Sequence, residues 1–259
     1  MKLFDSHCHV DEPKFDEDRD QVLARMAEAG VCRYAVIGSD MATSRHCIDF
    51  AQTQPGACAA IGIHPHEASS YREGDLDTLA RWLKEDRVQA IGEIGLDYHY
   101  DLSPRDKQKE VLRLQLELAW QEQMPVAFHI REAHGDMLEI LRDMKSRLTG
   151  GIIHCFSGSR ETAEDYLRLG YYISFAGPVT FKKAPKLQEA ALAVPADRLL
   201  IETDSPYLAP EPLRGRRNEP TYVAYVCRKL AELRGVDPEE LAAQTYANAC
   251  RVYRLPEEA

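Results

Sequence analysis

No apolar run in the 259-residue sequence approaches the roughly 20 residues that cross a bilayer. The amino-terminal MKLFDSH turns acidic at Asp5 and so lacks the apolar core of a signal peptide. Both absences point to a cytoplasmic protein with no membrane partner. The seven cysteines, at 8, 32, 47, 58, 155, 227 and 250, form no CxxC pair. That argues against a disulfide framework or a zinc ribbon and leaves most of them as small buried apolar residues. A basic excess is missing too, since the net charge is −10. Non-specific nucleic-acid binders carry the opposite sign, so chemistry on phosphates would need a local basic patch or bound metal ions. There is no low-complexity segment, no linker and no internal repeat. No apolar stripe marks an obligate protein partner.

Apolar residues make up 44% and charged residues 29% of the chain, the profile of a globular protein able to bury one large core. Eight short β-branched or apolar runs recur: KLFDSHCH, RYAVIGS, ACAAIGIHP, VQAIGEIGLD, PVAFHI, GGIIHCFS, YYISFAG and LLIETDSP. Each reads as a buried parallel strand. The stretches between them read as helices. Over 105–123, Leu112, Leu116 and Ala119 fall on one face. Asp237-Pro238-Glu239-Glu240 is a helix start, and Gly235 ends the helix before it. Eight strands alternating with helices predict a single-domain (β/α)8 TIM barrel over residues 1–259, of distorted form. The alternative, a doubly wound open sheet, needs a Gly-rich loop after the first strand, where HCHVDEP stands instead.

TIM-barrel chemistry sits at the carboxyl ends of the strands. The unusual polar residues collect there: His7 and His9 on strand one, His64 on strand three, Glu93 on strand four, His129, His154 and Asp204 on strands five, six and eight. One such histidine is ordinarily a hydrogen-bonded structural residue, and one such carboxylate a helix cap. Seven converging on one end of one barrel predict a metal site. Strand alternation points His7 and His9 together into the barrel mouth and Cys8 outward. By the same parity Asp5 lies on the histidine face, placed to accept from a ligand imidazole, and Glu202 lies beneath Asp204. Four histidines and two carboxylates exceed the needs of one tetrahedral ion. Two divalent ions bridged by Glu93 fit better, since both carboxylate oxygens can coordinate. Imidazole-rich sites favour Zn²⁺, Mn²⁺ or Fe over Mg²⁺.

The motifs FDSHCH, GIHP, IGEIGLDY, HIRE, HCFSGS, ETDSPYLAP and RGRRNEP, in this order, resemble the TatD family of metal-dependent deoxyribonucleases. The likeness runs from Leu3 to TYANACRVY. It implies a distorted TIM barrel within the amidohydrolase-like group and a divalent-metal phosphodiesterase, with 3′–5′ exonuclease action on single-stranded DNA or RNA, usually Mg²⁺-dependent. Carried over by position, His7, His9, Glu93, His129, His154 and Asp204 are metal ligands. The resemblance also makes Asp204 the acceptor of the attacking water's proton and sets His64 near the scissile phosphate. HIRE carries Glu132 where the family commonly has aspartate. Arg217 and Asn218 in RGRRNEP, and Arg131 beside His129, are expected to reach the substrate phosphate. Tyr98 and Tyr207 are placed to stack on a base. The rival reading is an amidohydrolase acting on a cyclic amide, lactone or nucleobase. Its two-metal forms commonly bridge the ions with a carboxylated lysine on strand four, where Glu93 stands here.

Overall fold

The chain, seen in a computed structural model that describes residues 1–257, folds into one eight-stranded parallel sheet in the order β1 to β8. The strands are β1 (Leu3–Cys8), β2 (Val31–Ile37), β3 (Ala57–Ile61), β4 (Val88–Asp97), β5 (Val126–Arg131), β6 (Gly151–Ile153), β7 (Tyr172–Phe175) and β8 (Leu199–Ile201). Helices α1 (Arg19–Glu28), α2 (Met41–Thr53), α3 (Asp75–Trp82), α4 (Arg105–Gln121), α5 (His134–Asp143), α6 (Arg160–Arg168), α7 (Pro185–Ala193), α8 (Val223–Arg234) and α9 (Pro238–Val252) fill the connections and cover the outside. This is the TIM barrel the strand count predicts. Among the described residues, no helix is long and apolar enough to cross a membrane.

The seam between β1 and β8 is where the barrel departs from regularity. No strand ladder joins the two. Instead the chain beyond β8 runs against β1: Asp204 N donates to His7 O (2.9 Å), and His9 N donates to Ser205 O (2.8 Å). Ser6 Oγ donates to Ile201 O (3.0 Å). The result brings His7, His9 and Asp204 to one place.

Alternation sorts the strand side chains into two cores. One set meets the helices, and Cys8 belongs to it beside Val10 and Phe15. The other fills the barrel: Phe4, Ala35, Ala60, Ala90, Ile152 and Leu200. Small alanines on three neighbouring strands leave room for rings supplied by the carboxyl-terminal helix. Tyr253 stacks on Phe4 with centroids 5.7 Å apart, and its hydroxyl donates to Ser6 O at 2.7 Å. α9 thus plugs one end of the barrel, and the strand-end histidines and carboxylates occupy the other. Its start is built as predicted, with Asp237 accepting from Glu239 N and Gly235 left-handed (φ +65°) at the end of α8.

Candidate metal centre

Glu93 is the hub of the mouth. Its Oε1 lies 2.8 Å from His129 Nδ1, 2.7 Å from His154 Nε2 and 3.7 Å from His64 Nε2. Its Oε2 lies 3.5 Å from His7 Nε2. A close approach of β4 to β5 makes this geometry. A Cβ on Gly95 would sit 1.8 Å from His129 O, at φ +154°, so only glycine brings the strands together here. On the β1 side, Asp204 Oδ1 is 3.5 Å from His9 Nε2 and 3.8 Å from His7 Nε2. Of the four donor groups among the described residues, two meet at Glu93: His7–His9–Asp204 and Glu93–His129–His154; His7–His154–Glu202 overlaps both. The Glu93 carboxylate touches the first two.

Each imidazole is aimed by its second nitrogen. His9 Nδ1 faces Ile37 O at 3.0 Å. His154 Nδ1 faces Glu202 Oε1 at 3.1 Å, and Cys155 N donates to the same oxygen at 2.6 Å. His129 Nε2 meets Asp97 Oδ2 at 2.9 Å. Such partners fix tautomer and ring angle and raise the basicity of the inward nitrogen, the usual support of a metal-binding histidine. His7 is the exception, buried with no hydrogen-bond partner on either ring nitrogen. An unpaired buried imidazole is costly unless something binds its lone pair.

The electrostatics ask for a cation. Burial raises the Glu93 carboxyl, but His154, His64, His7 and His129 outweigh it and hold it well below the carboxylate range. Burial likewise opposes ionisation of Asp204, and His9 and its neighbours overcome it. Burial works against charge on His9, yet Asp204 and Glu93 push it up to about 9. Burial also opposes charge on His154, where Glu93 and Glu202 prevail and hold it well above the usual range. The carboxylates therefore favour positive charge on His9, His129 and His154, while burial suppresses it on His7 and His64. A divalent ion supplies that charge and takes the unpaired His7 nitrogen. A tetrahedral ion about 2.0–2.1 Å from each ligand sets neighbouring ligand atoms roughly 3.3 Å apart. The 3.5–3.8 Å separations around His7, His9 and Asp204 are near that value and too long for hydrogen bonds. The residues fit divalent metal.

Several expected roles land elsewhere. The β1–β2 register shifts between Asp5 and Cys8, which breaks the parity that would aim Asp5 at a ligand imidazole. Asp5 instead accepts from Thr203 N at 2.9 Å and from the Thr203 hydroxyl, locking the post-β8 segment to β1. Glu202 does face a ligand histidine. Asn218 is fully buried: its Nδ2 donates to Thr203 O (2.8 Å) and Tyr207 O (2.6 Å), and its Oδ1 accepts from Glu219 N. Nothing on it is left for a phosphate. Arg217 forks onto Asp18 at 2.8 and 2.6 Å, donates to Lys14 O, and covers the Phe15 ring at 4.5 Å. Arg131 has no carboxylate partner. It rests over the Tyr100 ring at 4.8 Å and lines the cavity beside His129, His154 and Asp204, about 220 Å³ in volume. Glu132 reaches out to His99 at 2.8 Å, away from the ligands. Tyr98 is occupied, its hydroxyl on Asp136 and its face under Arg105. Tyr207 is 42% exposed at the rim, its hydroxyl taking Lys14 Nζ at 2.9 Å.

Two residues emerge that the motif reading passed over. Asp97 Oδ2 grips both His129 and His66, each at 2.9 Å. His66 joins His64 and His129 in the fourth donor group. The signal was parity: Asp97 is four residues beyond Glu93 on the same strand and so on the same face. Cys155 also borders the cavity, but burial pushes its thiol well up, which removes it as a nucleophile.

The family described as TatD related DNase matches residues 4–254. The chain is 44% identical over 253 residues to YabD of Bacillus subtilis, an uncharacterized metal-dependent hydrolase, covering 98% of this chain and 99% of that one. It is 38% identical to a 3′-5′ ssDNA/RNA exonuclease TatD of Erwinia billingiae, covering 98% and 100%. The crystal structure of YJJV, a TatD homolog of Escherichia coli K12, superposes with a TM-score of 0.92 at 32% identity over 98% of both chains. An organophosphorus hydrolase variant, at 16% identity and TM-score 0.66, covering 97% of this chain and 92% of its own, shares the fold alone. The chain belongs to the TatD family and is a metal-dependent hydrolase acting on ester bonds.

Proposed function

We propose that the protein is a phosphodiesterase that removes nucleotides from the 3′ end of single-stranded DNA or RNA, with two divalent ions held across Glu93. The reading is carried by one observation: the two oxygens of the Glu93 carboxylate face different donor groups, Oε1 toward His129 and His154, Oε2 toward His7. The Erwinia billingiae relative, named for that activity, supports the substrate class.

Ions bound by these groups would supply hydroxide at neutral pH and positive charge against the phosphate oxygens, with Mg²⁺ or Mn²⁺ serving turnover and Zn²⁺ matching the ligand type. The chain's own residues do the rest. Asp204, ionised and facing His7 and His9, takes the proton of the attacking water. Arg131, free of carboxylates, pairs with the phosphate as its charge grows. His64 has its charge suppressed first by burial and then by His129, so it meets the phosphate as a neutral hydrogen-bonding ring. Water oxygen bonds to phosphorus in line, the bond from phosphorus to the O3′ of the preceding nucleotide breaks, and a 5′-mononucleotide leaves. No covalent enzyme intermediate is formed. The amidohydrolase alternative gains no specific support, since a glutamate occupies the strand-four position.

Single-stranded DNA labelled at either end, digested with Mg²⁺, Mn²⁺, Zn²⁺ or chelator, tests this on one gel. Metal-dependent shortening from the 3′ end is expected. Absence of cleavage with every metal would overturn it.

A further inference from the structure

Many cations of this acidic chain are neutralised by its own carboxylates, as in Arg45 with Asp49 and Glu85, Arg105 with Asp101, and Arg147 with Glu117. The rim over β1–β4 follows this pattern. Arg217 is tied to Asp18, Lys14 lies between Glu12 and Tyr207, and His99 is held by Glu132. The other side of the mouth does not. Lys182 and Lys183, exposed between β7 and α7, and Lys186, exposed in the first turn of α7, have no ion pair or hydrogen bond among the described residues. Arg214 lies on the Phe181 ring at 4.4 Å and Arg131 on Tyr100, neither with a carboxylate. Glu189, the acid of α7, makes no ion pair with them among the described residues.

Exposed lysines alone are commonly a solvated face. Here the cavities add a second, independent observation. The metal-centre cavity runs outward past Phe156 to Ser157 and Leu187. A second hollow, about 450 Å³, starts at the same Ser157 and Leu187 and is walled by Gly158, Ser159, Lys183 and Lys186. Ser157 and Leu187 are the wall that the two hollows share, so a path from one to the other crosses these two residues. The passage offers apolar wall first, from Phe156, Leu187 and the exposed Leu208, then unpaired ammonium groups. Apolar surface for a base followed by positive charge for a backbone is how single strands are bound without sequence preference.

We propose that a single-stranded polynucleotide leaves the metal centre through this passage, between the loops after β6 and β7, with Lys183 and Lys186 holding the phosphates of nucleotides beyond the scissile one. The proposal rests on the nuclease reading above. It makes the enzyme's affinity depend on substrate length, because a dinucleotide cannot reach the lysines.

Steady-state KM and kcat on a dinucleotide and on a 12-nucleotide strand test it, for the wild type, Lys183→Glu/Lys186→Glu and Lys183→Ala/Lys186→Ala. The wild type is expected to show a lower KM for the longer strand. Both double variants should lose that advantage, with the 12-mer KM rising about tenfold and kcat largely kept. The salt dependence of log KM should flatten by about 1.4, roughly 0.7 for each phosphate of the single strand that is no longer neutralised. Should the wild type cleave both substrates and the double variants keep the full length advantage, the passage is not the strand's path, and the nuclease reading stands. Should the wild type cleave neither with any metal, the nuclease reading falls and takes the strand path with it.

Discussion

Glu202 Oε1 lies 3.1 Å from His154 Nδ1, and the opposite nitrogen of that ring lies 2.7 Å from Glu93. A carboxylate that is itself fully buried thus aims one imidazole at the centre of the site. Glu202→Gln keeps the shape and removes the charge. It should lower metal affinity about tenfold, within the 10–100-fold usual for such partners. Metal titration at fixed pH reads it, and unchanged affinity would mean that Glu202 serves only to hold the Cys155 backbone.

Asp97 does the same for His129 and adds His66, through one oxygen at 2.9 Å from each. Its other oxygen accepts from His99 N and Tyr100 N, so the side chain is locked. Asp97→Asn has to present its amide NH2 either to both ring nitrogens or to both the His99 and Tyr100 N–H groups, all of which need an acceptor. Metal affinity is expected to fall about 10–100-fold, with circular dichroism unchanged. Wild-type affinity in this variant would show that His129 needs no such support.

The barrel was legible because it is written redundantly: eight apolar runs, six of them ending in a histidine or carboxylate, and a capped last helix. The convergence of the candidate ligands was legible for the same reason, since histidine and carboxylate at a strand end are rare enough to stand out. Roles that depend on a partner distant in sequence were not. Whether Arg217 is free for substrate hangs on Asp18, 199 residues away, which holds its fork. Whether Asn218 faces the mouth or braces its own loop hangs on the Thr203 and Tyr207 carbonyls. Asp5 was misaimed by an irregularity in β1 that no alternation rule reveals.

The cations therefore separate by experiment. Arg131→Ala should raise KM for a phosphodiester several-fold, because this guanidinium borders the cavity unpaired. Arg217→Ala should change stability by no more than about 1 kcal/mol, as its pair with Asp18 is partly solvent-exposed, and leave KM nearly alone. Asn218→Ala should cost about 2–3 kcal/mol by orphaning two buried carbonyls. Chemical denaturation and steady-state kinetics on the three variants check the ranking. A large KM rise in Arg217→Ala would mean that it abandons Asp18 for substrate.

Acid should reveal His134, at the start of α5 with Nδ1 3.0 Å from the buried Tyr166 hydroxyl. Burial pulls its pKa down to about 4. The unfolded chain, near 6.5, binds this proton first, so stability is complete above pH 6.5 and drains as pH falls toward 4, by up to about 3 kcal/mol. His134→Gln, which cannot titrate, should flatten that part of the curve. Parallel pH–stability curves for variant and wild type would assign the acid loss to other groups.

Glu93 is the carboxylate on which both donor groups close, and equilibrium dialysis against Mn²⁺ followed by elemental analysis measures what it holds. The wild type is expected to retain two ions per chain. Glu93→Ala should retain one or none and lose nearly all phosphodiester turnover. Two tightly held ions in Glu93→Ala, or near-normal turnover by that variant in chelated buffer, would contradict a centre built across Glu93.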